Sequence, residues 1–378
     1  MAEQNSLWAR IVNRKTDETA EPTPQPEPYP SVAAGTTRRP DLSPRPARPI
    51  PSLDLPSGSR PVLFHVTTAD AFRPLAFLAD DLDHVGVDLV VLHWEDLLVM
   101  DAVPGGGVWL TTATERLSRS ERIHAAAVAR EIRAGGARTL NDPSKARDRV
   151  QTIQALRQMG LSPFRCWSPA AGEWPDRYPV FLRGCTGHRG AMLPVLEDEA
   201  AARARLDQAL EEGEVLSDLL FVEFVAEPLR DDHWQKHSIY RIGDAFVPAL
   251  VTNEKTWHAK YGSRGLAADE DYAREAEELD APVHMDRARA IFDAMEMEYG
   301  RLDYGIVGGE LVPYEVNTNP TMQFFFDHPN AARVETIRRI HDRTVRALAA
   351  LARPIAGEVA LNPRKRVSKV NPGLARRH

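Results

Sequence analysis

In the segment YEVNTN, Glu315 and Asn317 alternate with Tyr314, Val316 and Thr318. Side chains on a strand point to opposite faces in turn, so Glu315 and Asn317 share one face. Asp303 lies upstream, and Gly308–Gly309 sit midway between it and Glu315, where a hairpin would turn. Such a hairpin brings two carboxylates and an amide oxygen to one face. That is a hard-oxygen set suited to Mg²⁺, or to Mn²⁺ in its place, with substrate phosphates completing the coordination. The neighbours Val312, Tyr314, Val316 and Pro320 make the element too apolar for a casually acidic surface.

Three further segments suit a phosphate-bearing ligand. FLRGCTGHRG (181–190) ends a strand at Arg183 and follows it with Gly184, Gly187 and Gly190, whose small size lets backbone N–H groups close on an anion. Glycine loops are also ordinary tight turns, and the position upstream of the acidic hairpin is what favours the phosphate reading. Lys145 stands at the opening of a helix that Asp142 or Ser144 is expected to cap and Gly160 to end, with Val150, Ile153 and Leu156 buried. Taken singly, Lys145 reads as a surface lysine. LLFVEFVAEP is an apolar strand stopped by proline. Glu223 and Val225 can offer backbone groups to an adenine edge while Phe224 packs the ring, or the segment is a plain core strand.

The elements that would position these residues fall into four stretches. From Glu21 to Pro61 there are twelve prolines, and residues 1–60 read as a disordered or polyproline-II leader. Over 61–141, short apolar runs (61–68, 87–94, 106–112 and ARTLN) alternate with helical patterns at 70–86 and 118–136, which predicts a small parallel α/β domain. No GxGxxG follows the first strand, so a Rossmann dinucleotide site is unsupported. Residues 142–352 read as strands, two hairpins and amphipathic helices, closed by a helix at 332–352 with Val334, Ile337, Val345, Leu348 and Leu351 on one stripe. Residues 353–378 read as a basic disordered tail. The long polar insertion 255–282 reads as a lid or substrate contact. Within it Trp257 and Tyr261 would pack together if helical.

The order of these parts resembles the ATP-grasp superfamily: Lys before a helix, a strand with a glycine-rich loop, an apolar strand ending in E-F-V, then D-Y-G and E-x-N-x-N-P. The likeness runs from about residue 137 to 350, and is greatest to the glutathione synthetase and ribosomal-protein glutamate ligase branch. The resemblance implies a small pre-ATP-grasp α/β domain followed by a two-subdomain α+β ATP-grasp fold with antiparallel sheets. It implies that Asp303, Glu315 and Asn317 hold Mg²⁺ on ATP phosphates, and that Lys145 contacts phosphates. Arg183 stands where the family more often carries Lys, which keeps the charge and alters the geometry. Glu223 and Val225 would form the adenine hinge, with Glu227 near the ribose. The family's cationic strand corresponds to KHSIYRIGD, whose Lys236 and Arg241 face opposite sides of a regular strand, so one of them enters the site, with Lys236 favoured.

The activity this implies is ADP-forming carboxylate–amine ligation through an acyl phosphate, on small-molecule or peptide substrates. A phosphotransferase on the same fold and a non-catalytic nucleotide-binding scaffold are the alternatives. Cys185 reads as a small loop residue rather than a nucleophile, and His188 and His258 as polar side chains near substrate. The chain of 378 residues carries a formal charge of −7, with +1 over residues 1–60 and +6 over 364–378, so the body between holds −14. An acidic body argues against general nucleic-acid binding. Two cysteines exclude a disulfide framework, and no apolar run suits a membrane span or a secretory signal. A cytoplasmic protein, and a homodimer as a guess, are the expectations.

Overall fold

The computed structural model describes residues 60–71, 73–185, 191–260 and 262–362, without the side chain of Leu193. The proline-rich leader (apart from Arg60), the basic segment from residue 363, and Gly187, His188, Gly190 and Tyr261 lie outside the described residues.

Strand β1 (Pro61–Thr67) leads through a 3₁₀ turn into the short helix α1 (Ala79–His84), then β2 (Asp88–His93). The one-turn helix α2 (Trp94–Leu97), β3 (Ala102–Gly106) and β4 (Val108–Thr111) follow. Helix α3 (Arg119–Ala134) and β5 (Arg138–Leu140) complete the first part. β2, β1, β4 and β5 run parallel, as the alternating pattern requires. Ser118 caps α3, its hydroxyl accepting from Glu121 N while the Glu121 carboxylate accepts from Ser118 N. Phe64 and Trp109 stack with ring centroids 4.1 Å apart in the core. Gly107 beside them has φ +63°, and a Cβ there would lie 2.6 Å from the Phe64 ring.

The second part contains α4 (Arg149–Gln158), β6 (Cys166–Trp167), β7 (Val180–Gly184), β8 (Met192–Leu196), α5 (Glu199–Glu211) and β9 (Leu219–Glu223). Its antiparallel sheet has the order β6-β9-β7-β8. The third part contains β10 (Trp234–Ile242), β11 (Ala245–Pro248), β12 (Thr252–Glu254), helices α6 (Asp269–Asp280) and α7 (Met285–Ala294), and the hairpin β13 (Tyr299–Val307) and β14 (Glu310–Asn317). These strands form a sheet of order β11-β10-β13-β14, with β12 on β10. The hairpin turns at Gly308 and Gly309, both at positive φ, as a tight two-residue turn requires. The arrangement is the α/β architecture expected from the sequence, with one mostly parallel sheet and two antiparallel ones.

Helix α8 (Ala331–Leu351) ties the parts together. Its Ile340, Val345, Leu348 and Leu351 share one apolar cluster with Leu63 and Leu110 of the first sheet and Tyr240 and Ile242 of β10. Of the stripe read from sequence, Ile337, Val345, Leu348 and Leu351 are buried, whereas Val334 is only half-buried and Ile340, not named in it, is buried with them.

Two expectations are corrected. The tail does not begin at residue 353: Arg353–Ala360 form β15, which pairs antiparallel with β3 and with the start of β1. Val359 is buried in the core beneath α3, so apolar burial overrides the segment's Gly and Pro content. The insertion 255–282 is not polar throughout. Its second half is α6, which buries Tyr272 and Leu279 against α8, and its Glu275 carboxylate accepts a 2.6 Å bond from Val251 N.

Candidate functional site

A cleft opens between the β6–β9 sheet and the β10–β14 sheet, with about 1150 Å³ of empty space partly open to solvent. One wall is the acidic hairpin. Ser238, Asp303 and Glu315 lie opposite one another across β10, β13 and β14, and Arg301 lies opposite Asn317. An irregularity between Asp303 and Tyr304 lets Tyr314 take up the extra position without moving Glu315 off the shared face.

Asp303 is 4% exposed and heavily braced. Its Oδ1 accepts from Ser238 Oγ at 2.9 Å and from Arg301 Nε at 2.6 Å, and its Oδ2 accepts from Arg301 Nη2 at 2.9 Å and Asn317 Nδ2 at 3.4 Å. Lys236 Nζ stands 3.8 Å from the same oxygen. Burial works against the charge of Arg301, but Asp303 outweighs it and holds the guanidinium pKa above its ordinary value. Glu315 Oε1 accepts from Arg149 Nη2 at 2.6 Å and lies 3.9 Å from Arg183 Nη2.

The three oxygen-bearing residues therefore meet on one face, each carboxylate balanced by arginine. The donor set fits a divalent ion. Two carboxylates and an amide oxygen are hard ligands, few enough to leave positions for phosphate oxygens. Among the described residues no group of three or more His, Cys, Asp or Glu is placed to hold a metal ion.

The cationic side differs from expectation at Lys145. Asp142 caps only a 3₁₀ turn, Pro143–Lys145, and Lys145 ion-pairs with Glu296 outside the cleft. Helix α4 starts four residues later, where Asp148 and Gln151 form a reciprocal capping box. Its first residue, Arg149, reaches the cleft instead. Besides Glu315, Arg149 Nη1 donates to Gly184 O at 2.7 Å and Cys185 O at 3.1 Å, fixing the end of β7.

Arg183, on β7, lines the cleft, and its Nε is buried with no partner among the described residues. Burial first, then neighbouring Arg149, pulls its pKa down to about 10. Lys236 faces the cleft beside Asp303, whereas Arg241 faces the other side and bonds Asp293 Oδ1 at 2.6 Å. Burial pushes the Cys185 thiol up to about 11 and Cys166 to about 12, so both stay protonated at neutral pH.

The far end of the cleft is aromatic and apolar. Glu223, Phe224, Val225 and Ala226 form its edge, and Trp257 closes over it at 5.1 Å from both the Phe181 and Phe224 rings. Trp257 is not helical and its packing partners are these rings. The loop that carries it is held by Glu254, which accepts from Gly262 N and Ser263 Oγ at 2.7 Å each. Glu223 is tied to Arg165 twice: its carboxylate accepts from Arg165 N at 3.0 Å and its own N–H donates to Arg165 O at 3.0 Å. Glu227 lies elsewhere than expected: its Oε2 accepts from Gly308 N at 2.9 Å, clasping the hairpin turn. His258 lines the cleft, its pKa lowered by burial and by Lys260, Arg183 and Lys236.

Beyond Asn317 the chain is pinned to the first sheet. Thr318 Oγ1 donates to Glu115 Oε2 at 2.8 Å and accepts from Ala113 N at 3.1 Å. His65 Nε2, on β1, lies 3.1 Å from Asn319 Oδ1. Burial pulls the His65 pKa down to about 4 against the opposing effect of that hydrogen bond, so the ring is neutral.

Several solved structures are similar to the chain in fold. The chain is similar to a RimK-domain ATP-grasp protein from Sphaerobacter thermophilus, with 17% identity, 76% of this chain and 98% of that chain covered, and a TM-score of 0.42. It is similar to D-alanine–D-alanine ligase from Bacillus anthracis complexed with ATP, with 12% identity, 76% and 99% covered, and a TM-score of 0.44. It is also similar to the D-cycloserine synthetase DcsG, with 15% identity, 76% and 99% covered, and a TM-score of 0.44. No protein-family profile and no curated protein sequence matches the chain. At TM-scores below 0.5 the superpositions are loose, and the functional reading rests on the side chains of the cleft.

Arg149, Arg301 and the ring-packing role of Trp257 are what the sequence reading missed. Two of them carried a signal. D-x-x-Q at Asp148–Gln151 marks a helix start and sets Arg149 at its first position. The alternation that pairs Glu315 with Asn317 equally puts Arg301 on the face of Asp303.

Proposed function

We propose that the chain is an ATP- and Mg²⁺-dependent carboxylate–amine ligase of the ATP-grasp type. The observation that carries this reading is Asp303 directly opposite Glu315, with Asn317 beside them, on the cleft face and ringed by Arg149, Arg183 and Lys236. The adenine would lie along Glu223–Ala226 beneath Trp257, and the phosphates would extend toward Arg183, Lys236 and the hairpin. When bound, the metal would supply charge neutralisation on the phosphates, with Asp303, Glu315 and Asn317 as its holders.

The chain's own groups then act by position and charge. Arg183, Lys236 and Arg149 offset the phosphate charge so that a substrate carboxylate oxygen can attack the γ-phosphorus in line. The new O–P bond replaces the bond to the β–γ bridging oxygen, and ADP leaves. An amine nitrogen attacks the acyl carbon, the C–N bond forms, the C–O bond to phosphate breaks, and the amine proton passes to solvent. The products are ADP, phosphate and an amide. The protonated thiols agree with catalysis by positioning rather than by a cysteine nucleophile.

The test is a screen of the full chain with ATP, Mg²⁺ and pooled carboxylates and amines, reading ADP against AMP and searching for amide products by mass spectrometry. ADP with an amide supports the ligase. ADP with a stable phosphorylated product and no need for an amine would instead indicate a phosphotransferase.

A further inference from the structure

A second hollow lies beyond the Arg149–Glu315 pair. It shares Ile153, Tyr314 and Glu315 with the nucleotide cleft, so the same residues border both spaces. It is smaller, with about 700 Å³ of empty space, and most of the residues around it are polar or charged. Three arginines line it, and two are already committed. Arg147 Nη1 donates to Ala294 O at 2.8 Å, and Arg149 is taken up by Glu315, Gly184 and Cys185. Its acids are also engaged: Glu115 by Thr318, and Asp148 as the cap of α4.

Arg116 is different. Its Nη1 donates at 3.0 Å to Asp70, whose carboxylate is 76% exposed, a pairing that water weakens. Its Nε is buried and has no partner among the described residues. A buried N–H without an acceptor is costly, so the fold leaves hydrogen-bonding capacity of Arg116 unfilled, and an anion in the hollow that Arg116 lines would meet the rest of its guanidinium. Ala113, at φ 54°, turns the chain at the carboxyl end of β4 and sets Arg116 at the rim. Open parallel sheets bind ligands at that edge.

We propose that this hollow takes the acid substrate, and that the substrate is a small dicarboxylate. One carboxylate lies at the Glu315–Asn317 end, where it meets the nucleotide. The second is gripped by Arg116. The inference rests on the ligase reading and names its substrate class.

The experiment uses calorimetry on the full chain. AMPPNP with Mg²⁺ is titrated first. Glutarate, L-glutamate and L-aspartate are then titrated into the loaded protein, beside butyrate, L-glutamine and L-asparagine. The diacids are expected to bind saturably, about 10- to 100-fold tighter than the monoacids, the difference one charge-assisted contact makes. Arg116→Gln removes that preference and leaves AMPPNP affinity within about twofold, since Arg116 does not line the nucleotide cleft. Arg116→Lys restores part of it. Both variants are checked for unchanged melting. Diacids that fail to bind, diacids and monoacids that bind equally, or an unchanged preference in a folded Arg116→Gln variant would each overturn the proposal. Failure of AMPPNP to bind counts against the ligase reading instead. Diacid titration into the bare protein then decides the pocket on its own, by whether binding depends on Arg116.

Discussion

The acidic hairpin and the turn leading into α4 both deliver charge toward the cleft, but they hold it by different means. In the hairpin, Asp303 is braced from three strands, by Ser238 on β10, Arg301 on its own strand and Asn317 on β14. Strand alternation commits each of these side chains to one face. On the approach to α4, two cations four residues apart take separate paths: Lys145 outward to Glu296, and Arg149 inward to Glu315. What separates them is which aspartate caps the helix. A strand thus fixes direction through its backbone, whereas a capped turn fixes it through one side-chain hydrogen bond.

The strongest way to break this contrast is within the hairpin itself. Asp303→Ala leaves the half-buried Arg301 without its carboxylate and is expected to cost about 3 kcal/mol in denaturant unfolding. Glu315→Gln keeps the fold and is expected to lower turnover about 10²- to 10³-fold, the scale of losing one preorganised charge contact in an active site. Equal stability losses for the two variants would contradict the bracing described for Asp303.

The second test concerns the pin between the hairpin's end and the first sheet. His65 is held neutral with its pKa near 4, below the ordinary 6.5. The unfolded chain therefore binds more protons between these values. Stability is fully present above about pH 6.5 and falls as pH drops toward 4, by up to roughly 3 kcal/mol. Unfolding curves across that range would show the slope, and His65→Gln would flatten it. An identical slope in the variant would assign it to other groups.

A smaller effect separates the two cations before α4. Arg149→Ala is expected to slow turnover about 10- to 100-fold, because it frees both Glu315 and the end of β7. Lys145→Ala is expected to leave turnover within about twofold, as exposed ion pairs contribute little. The smallest sharpens the choice between Lys236 and Arg241. Lys236→Ala is expected to raise the nucleotide KM about tenfold, the loss of one charged contact. Arg241→Ala should not change it.

The hairpin was legible in sequence because a period of two and a Gly–Gly turn leave little freedom in which residues meet. The parallel strands, α3 and the closing helix were legible for the same kind of reason, a strong apolar period bounded by caps. Lys145 was misplaced because Asp142 and Asp148 both carry cap chemistry, and only tertiary packing decides between them. Glu227 was misplaced because its partner, Gly308 N–H, comes from an element 81 residues away. The strand at 353–360 was hidden because it alternates weakly and owes its place to β3 and β1.

Electron paramagnetic resonance of Mn²⁺ tests the central claim most directly, with the full chain titrated in the presence and absence of AMPPNP. The free Mn²⁺ signal is expected to fall when protein and nucleotide are both present, and to recover when Glu315→Gln and Asn317→Ala are combined. Mn²⁺ that stays free beside the nucleotide-loaded protein, or that binds the double variant as it binds the native chain, would contradict the metal-holding role of the hairpin.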